Sequence, residues 1–301
     1  MRKKLIGILV TQGSLTDSYK GNIIGIEEQY LKLFSQYGRV IAVMPDQRPS
    51  DIKLDLLVLP GGADLDTSFT CNGEDCVVGN GASNPMYSQF YKFFLKHWLN
   101  ANVPVFGICL GFQALNVCLG GGLTSDGPNH SLSGLHPIGV YNEKLGLHLP
   151  ATKTGVKKPY KDEVNSRHHQ FIRPNQLAKC LLPLAIGVMN DNFLKVQDDV
   201  NALWEASSYL PGSPGLLKYY FDGTVDKLAN KRISHIEAYI HVSQKIAGVQ
   251  WHPESMWRTA FGRGDEVSHK IIEWLLEGED PKATVSKNPT PTKVGHNQVV
   301  V

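Results

Sequence analysis

Gly107-Ile108-Cys109-Leu110-Gly111 sets one cysteine between two glycines, where an apolar run (103–107) gives way to a helical pattern (112–119). A sharp strand-to-helix turn forces its central residue into a strained backbone conformation, and the glycines keep side chains clear, so a thiol there projects from the sheet edge. It also stands at a helix N-terminus, whose partial positive charge favours the thiolate. A small buried cysteine at an ordinary strand–helix junction would be spelled the same way, so the five residues alone do not decide. A thiolate nucleophile needs a base, and the base needs an orienting carboxylate. Gly248-Val249-Gln250-Trp251-His252-Pro253-Glu254 supplies both at the end of an apolar strand pattern, with Pro253 stiffening the turn that presents them. Pro60-Gly61-Gly62 ends another apolar run (54–59), and its backbone N–H groups are candidates to bind an oxyanion. Solvated strand-end turns are the alternative for these last two segments.

The elements that must position these groups follow from periodicity. Residues 5–10, 40–43, 54–59 and 103–107 are short apolar runs that read as buried parallel strands. Residues 23–37 carry Ile23, Ile26, Tyr30, Leu33, Phe34 and Tyr37 at helical spacing, with Gly38 as the C-cap, and residues 86–99 carry Phe90, Phe93, Phe94, Trp98 and Leu99 as a core face. Strand and helix alternate as in βαβ units. Beyond about residue 120 strands dominate (136–141, 163–166, 184–188, 235–240, 246–250), followed by a closing helix, 266–276. The expected fold is α/β, a flavodoxin-like three-layer sandwich around a central, mostly parallel sheet. One domain is expected over residues 1–278, with insertions at about 67–84 and 189–232 and a disordered tail at 279–301. The insertions, one carrying Leu216, Leu217, Tyr219, Tyr220 and Phe221, are expected to act as a lid, a docking surface or plain surface embellishment.

Composition limits the function classes. The 301 residues are 42% hydrophobic and 19% charged, which excludes wholesale disorder, and a net charge of +2 argues against a dedicated nucleic-acid binder. Five cysteines do not form a secreted disulfide framework and fit a reducing cytoplasm. The apolar run after Met1-Arg2-Lys3-Lys4 spans six residues, too few for a signal peptide, and no run approaches a membrane span.

The three motifs in this order resemble the class I (triad-type) glutamine amidotransferases, over about residues 5–276. Within that class the likeness is to the γ-glutamyl hydrolase branch, the peptidase C26-like proteins that include γ-glutamyl-GABA hydrolase. Glu28-Gln29-Tyr30-Leu31 through Tyr37-Gly38 and Ile41-Ala42-Val43-Met44-Pro45 resemble that branch's N-terminal pattern. Asn165-Ser166-Arg167-His168-His169-Gln170 resembles its N-S-x-H-x-Q signature, and Ile236-Glu237-Ala238 with residues 248–254 resembles its closing pattern. The resemblance implies Cys109 as nucleophile, His252 as general base then acid, and Glu254 as orienter. It implies Gly62 and Leu110 as oxyanion N–H donors, with Gly61 adjacent, and Gly111, Gln113, His168, His169 and Gln170 as substrate-site residues.

That chemistry is hydrolysis of glutamine or a γ-glutamyl amine through a γ-glutamyl thioester, with no metal or organic cofactor. Three readings stand together: a free-standing hydrolase, a glutaminase subunit serving a separate synthetase or amidoligase, and a non-enzymatic binding module on the same scaffold. No G-x-x-x-x-G-K-[ST] motif occurs, so any ATP-dependent partner is another polypeptide. A small γ-glutamyl substrate is the expected ligand and a second copy of the chain an open partner; no nucleic acid or membrane is expected. The histidines show no paired zinc-type spacing; His130 and His136 read as structural, and Cys118 and Cys180 as core. Cys71 and Cys76 lie in a polar loop, and the four lysines of 153–161 read as a solvated loop.

Overall fold

An unbroken apolar run is stable as a strand only if both of its faces are covered. β1 (Lys4–Leu9), β5 (Leu56–Leu59) and β6 (Val105–Ile108) meet that condition in the computed structural model. The structure describes residues 2–14, 22–65, 85–124, 134–140, 160–168, 170–188, 234–256 and 266–277. The expected insertions, the tail, His130, His169, Cys71, Cys76 and the lysine-rich 153–161 loop lie outside those residues, except for Tyr160 and Lys161.

The other strands of the main sheet are β4 (Gly38–Val43), β7 (Gly134–Val140), β8 (Tyr160–Ser166), β9 (Leu181–Val188), β10 (Ser234–His241) and β11 (Ile246–Val249). Among the described residues nine strands form one sheet in the order β4-β1-β5-β6-β11-β10-β9-β7-β8. The first five run parallel, and the last four extend the sheet antiparallel. Alternation divides the core: Leu56 and Val58 face one layer, Leu57 and Leu59 the other. The first layer holds α1 (Glu28–Phe34) and α6 (Glu266–Leu276). The second holds α2 (Pro85–Gln89), α3 (Leu95–Asn100) and α4 (Leu110–Cys118). Trp98, Phe112 and Trp251 are fully buried between sheet and helices, each contributing about 1.5–3 kcal/mol of transfer free energy. This is the expected flavodoxin-like sandwich.

Two helical expectations need correction. Residues 22–25 are not the start of a helix; Asn22–Gly25 is a strand, β3, paired antiparallel with β2 (Thr11–Ser14). The two adjacent isoleucines favour extended backbone and Gly25 interrupts a helix, so the helical spacing of Ile23 and Ile26 was fortuitous. In the second case helix is present, but a π-helical turn, Phe90–Phe94, joins α2 to α3. The wider turn shifts the phase of the side chains. Phe90 and Trp98 stay buried, whereas Phe93, expected in the core, is 58% exposed. Cys118 also departs from expectation, lying at the exposed end of α4 with its thiol 3.6 Å from the Tyr91 carbonyl, while Cys180 is half-buried.

Candidate active site

β5, β6 and β11 are consecutive and parallel in the sheet, so their C-terminal ends share one edge. In α/β sheets that edge is where ligands bind. Pro60-Gly61-Gly62 follows β5 and Cys109 follows β6. His252 and Glu254 follow β11, with Glu254 on α5 (Pro253–Met256). Three motifs far apart in sequence thus converge on one ridge.

Cys109 has φ 49° and ψ −101°, one of two non-glycine residues with positive φ among those described. This conformation costs about 1–3 kcal/mol and persists only where the surroundings impose it. The glycines impose it. A Cβ on Gly111 would stand 2.2 Å from the Leu59 carbonyl oxygen, and one on Gly107 2.7 Å from the Gly111 backbone. Gly111→Ala is therefore expected to lower stability by about 1–3 kcal/mol, read as a fall in Tm; an unchanged Tm would mean that the elbow tolerates the extra methyl group.

His252 and Cys109 are neighbours: a Cβ on Gly61 would stand 2.6 Å from His252 Cε1 and 3.4 Å from Cys109 Cβ. His252 Nδ1 donates to Glu254 Oε1 at 2.7 Å, leaving Nε2 for the thiol side. Burial alone would push the His252 pKa down. The Cys109 thiolate, its hydrogen bond and the Glu254 carboxylate outweigh burial and raise it to about 10. His252 therefore holds its proton as an imidazolium through neutral pH.

The backbone N–H groups sort themselves. Gly61 N–H donates to the Tyr30 hydroxyl at 3.0 Å, and Gly111 N–H to the Pro60 carbonyl at 3.2 Å. Leu110 is the first residue of α4, so its N–H has no intrahelical acceptor. A Cβ on Gly62 would lie 3.0 Å from Leu110 Cδ2, so those two positions adjoin. The geometry thus favours Gly62 and Leu110 over Gly61, which is already engaged. Tyr30, read from sequence only as a core residue, is at the site: a Cβ on Gly61 would meet its hydroxyl, Cys109 Cβ and His252 Cε1 within 3.4 Å. Burial, then the nearby Glu254 charge, hold the Tyr30 hydroxyl protonated.

A family model described as Peptidase C26 matches residues 4–193. The chain belongs to the peptidase C26 family. The matched span includes Cys109 and the Gly61–Gly62 turn; His252 and Glu254 lie beyond it. The chain is similar to the glutamine amidotransferase-like protein YvdE of Lactococcus lactis subsp. lactis, 25% identical over 91% of this chain and 98% of that one. A shorter stretch, 27% of this chain, is 37% identical to 21% of the carbamoyl phosphate synthase small chain of Maricaulis maris. A solved structure from Thermoplasma acidophilum, named for GMP synthase, shares the fold with a TM-score of 0.50. It is 16% identical over 91% of this chain and 96% of that one. No helix among the described residues is long and apolar enough to cross a membrane.

Three of the remaining expected residues of this C26 chain lie in the interior. Gln113, His168 and Gln170 are each under 5% exposed. Gln113 Nε2 donates to the Gln170 carbonyl at 3.1 Å and to Gln250 Oε1 at 3.2 Å, and His168 Nδ1 donates to the same Gln170 carbonyl at 2.9 Å. The Gln170 backbone carbonyl thus accepts from both Gln113 and His168 in the interior.

Asn165, in sequence only the first residue of a signature, has a task in the fold. Its Nδ2 donates to the His252 carbonyl and its Oδ1 accepts from the His252 N–H, both at 2.8 Å. That two-point clamp fixes the backbone of the candidate base from β8, five strands away along the sheet order from β6. An N-S motif preceding a histidine pair was the available signal, but nothing local shows what its amide grips. Asn165→Ala is expected to lower kcat by about 10²-fold with little change in KM, because sub-ångström misplacement of a base costs rate rather than ground-state binding. Steady-state kinetics on the variant check this; a change confined to KM would place Asn165 in substrate binding.

Proposed function

We propose that this chain is a cysteine-dependent hydrolase of the γ-glutamyl amide bond. The observation that carries the reading is the strained Cys109 beside a His252 that is itself hydrogen-bonded to Glu254, with Gly62 and Leu110 adjoining at the same edge. Family membership supports amide hydrolysis, and the resemblance of its motifs to the γ-glutamyl hydrolase branch supports the finer assignment.

The Cys109 thiolate attacks the γ-carbonyl carbon, and the C–O π electrons move onto oxygen. Gly62 and Leu110 N–H groups stabilise that oxyanion. Collapse of the tetrahedral species breaks the C–N bond, and the leaving nitrogen takes the His252 proton. The neutral imidazole then removes a proton from water, whose oxygen attacks the γ-glutamyl thioester. Glutamate departs, regenerating the thiolate and imidazolium. No step uses Ser166.

The test is glutamate release from glutamine and a panel of γ-glutamyl amines, with intact-mass detection of a γ-glutamyl adduct on Cys109 after rapid acid quench. Release with an adduct supports the assignment; release without one removes the thioester. A second reading, a glutaminase delivering ammonia to a separate synthetase or amidoligase, is favoured by the segment similar to carbamoyl phosphate synthase small chains. It predicts near silence on every panel member until a partner is added.

The pH dependence has a definite sign. His252 must be protonated to deliver its proton, and its pKa is raised to about 10. kcat/KM is therefore expected to hold as pH rises through neutrality and to fall as pH passes about 10. Cys109→Ala removes the thiolate and its hydrogen bond, leaving burial opposed by Glu254 alone, so the His252 pKa must drop. An NMR titration of the His252 ring checks this, and an unmoved pKa would dissolve the thiolate–imidazolium pair.

A further inference from the structure

The Pro60–Gly61 peptide unit at the end of β5 is held at both of its polar ends. Its carbonyl accepts from the Gly111 N–H at 3.2 Å, and its N–H donates to the Tyr30 hydroxyl at 3.0 Å. We infer that Tyr30 is a positioning residue for acyl transfer at Cys109: its hydroxyl fixes the glycine turn so that the next N–H, that of Gly62, stays aimed at the oxyanion. The inference rests on the proposed attack by Cys109 and adds to it what holds the turn in place.

The need for a lock begins with the sequence Pro60-Gly61-Gly62. Glycine populates positive and negative φ about as readily, so nothing in the turn's own residues fixes the plane between Gly61 and Gly62. Oxyanion stabilisation depends on donors that are in place before the charge develops, so a turn free to rotate costs rate. The Gly111 N–H ties the turn to the elbow at one point, about which the peptide plane can still swing. The Tyr30 hydroxyl supplies the second point.

Tyr30 is suited to that task by its surroundings. It stands on α1, is 2% exposed, and packs in the same core layer as Cys109, Trp251 and Met256. A ring wedged in a packed core carries its hydroxyl at a fixed place. Phenylalanine would fill the same space but would leave the Gly61 N–H without that acceptor. From the opposite layer Tyr87, on α2, lies against the turn: a Cβ on Gly62 would stand 3.2 Å from its ring. The turn is thus gripped between a hydroxyl from one layer and a ring from the other.

The same turn of α1 also reaches the base. Ser255 Oγ donates to Gln29 Oε1 at 3.0 Å, and the Ser255 N–H donates to the His252 carbonyl at 3.0 Å. Adjacent residues, Gln29 and Tyr30, therefore connect one helix to the His252 turn and to the glycine turn, and set the distance between them.

The experiment compares wild type with Tyr30→Phe, using two small probes of Cys109. p-Nitrophenyl acetate acylates the thiolate through a tetrahedral oxyanion, whereas iodoacetamide alkylates it by direct displacement and forms none. Subtracting the rates of Cys109→Ala removes the contribution of the other cysteines. Outright loss of an oxyanion donor costs about 10²–10³-fold, and a donor kept but loosely aimed costs less, so acylation of Tyr30→Phe is expected to fall about 10- to 100-fold. Alkylation is expected to keep the wild-type rate. An unchanged acylation rate would overturn the inference, and so would an equal fall with both probes, which would reduce Tyr30 to packing. A second measurement uses wild type alone: hydrogen exchange of the Gly61 amide, followed by NMR, should be protected, and exchange at the rate of an open amide would remove the bond on which the inference stands. Neither probe is a γ-glutamyl compound, so failure of the hydrolase reading shows separately, as absent glutamate release.

Discussion

Cys109→Ala is expected to lower the rate of glutamate release by about 10⁶-fold, the scale on which removal of a triad nucleophile acts. The assay is single-substrate kinetics on the best member of the γ-glutamyl panel, and residual activity above about 1% of wild type would displace Cys109 as nucleophile. The same position offers a control on folding. Its φ of 49° is tolerated by glycine but strained for any side chain. Cys109→Gly should therefore be as inactive as Cys109→Ala yet more stable than it, by about 1 kcal/mol on denaturant unfolding. Loss of rate together with a gain in stability separates a residue held for chemistry from one held for packing.

Glu254→Gln is expected to cost about 10⁴-fold, a large effect but about two orders smaller than loss of the nucleophile. Glutamine still accepts from His252 Nδ1, now 2.7 Å from the carboxylate, so the ring keeps its orientation. What is lost is charge: the carboxylate is one of the groups that raise the His252 pKa. The variant should thus be slower and should lose activity at a lower pH on the alkaline side, since less imidazolium survives there. A pH–rate profile superimposable on wild type would reduce Glu254 to a packing role. Equal losses for Glu254→Gln and Cys109→Ala would instead mean that the whole site had collapsed.

Much of this protein is written locally. The elbow is legible because its two glycines flank the cysteine at the turn itself, Gly107 packing against Gly111 four residues on. The parallel strands are legible because an apolar run covered on both faces has one simple reading. The helix over Glu266–Leu276 is legible because its buried positions recur at helical spacing. The β2–β3 hairpin and the π-helical turn at Phe90–Phe94 were not, since both set against the local pattern a preference only their neighbours supply.

The sequence by itself determined which groups are available for chemistry and that three of them end apolar strands. Tertiary structure decided their company. The order β5-β6-β11 puts those three ends side by side, and no local pattern specifies strand order. Only the folded chain sets the Tyr30 hydroxyl against the Gly61 N–H. Only the fold turns Asn165 into a clamp on His252 and draws Gln113, His168 and Gln170 inward to one another. The physical reason is the range of the forces. Propensity, capping and steric exclusion act within a few residues, whereas a hydrogen bond between Asn165 and His252 spans 87 positions and exists only once sheet pairing has brought them together.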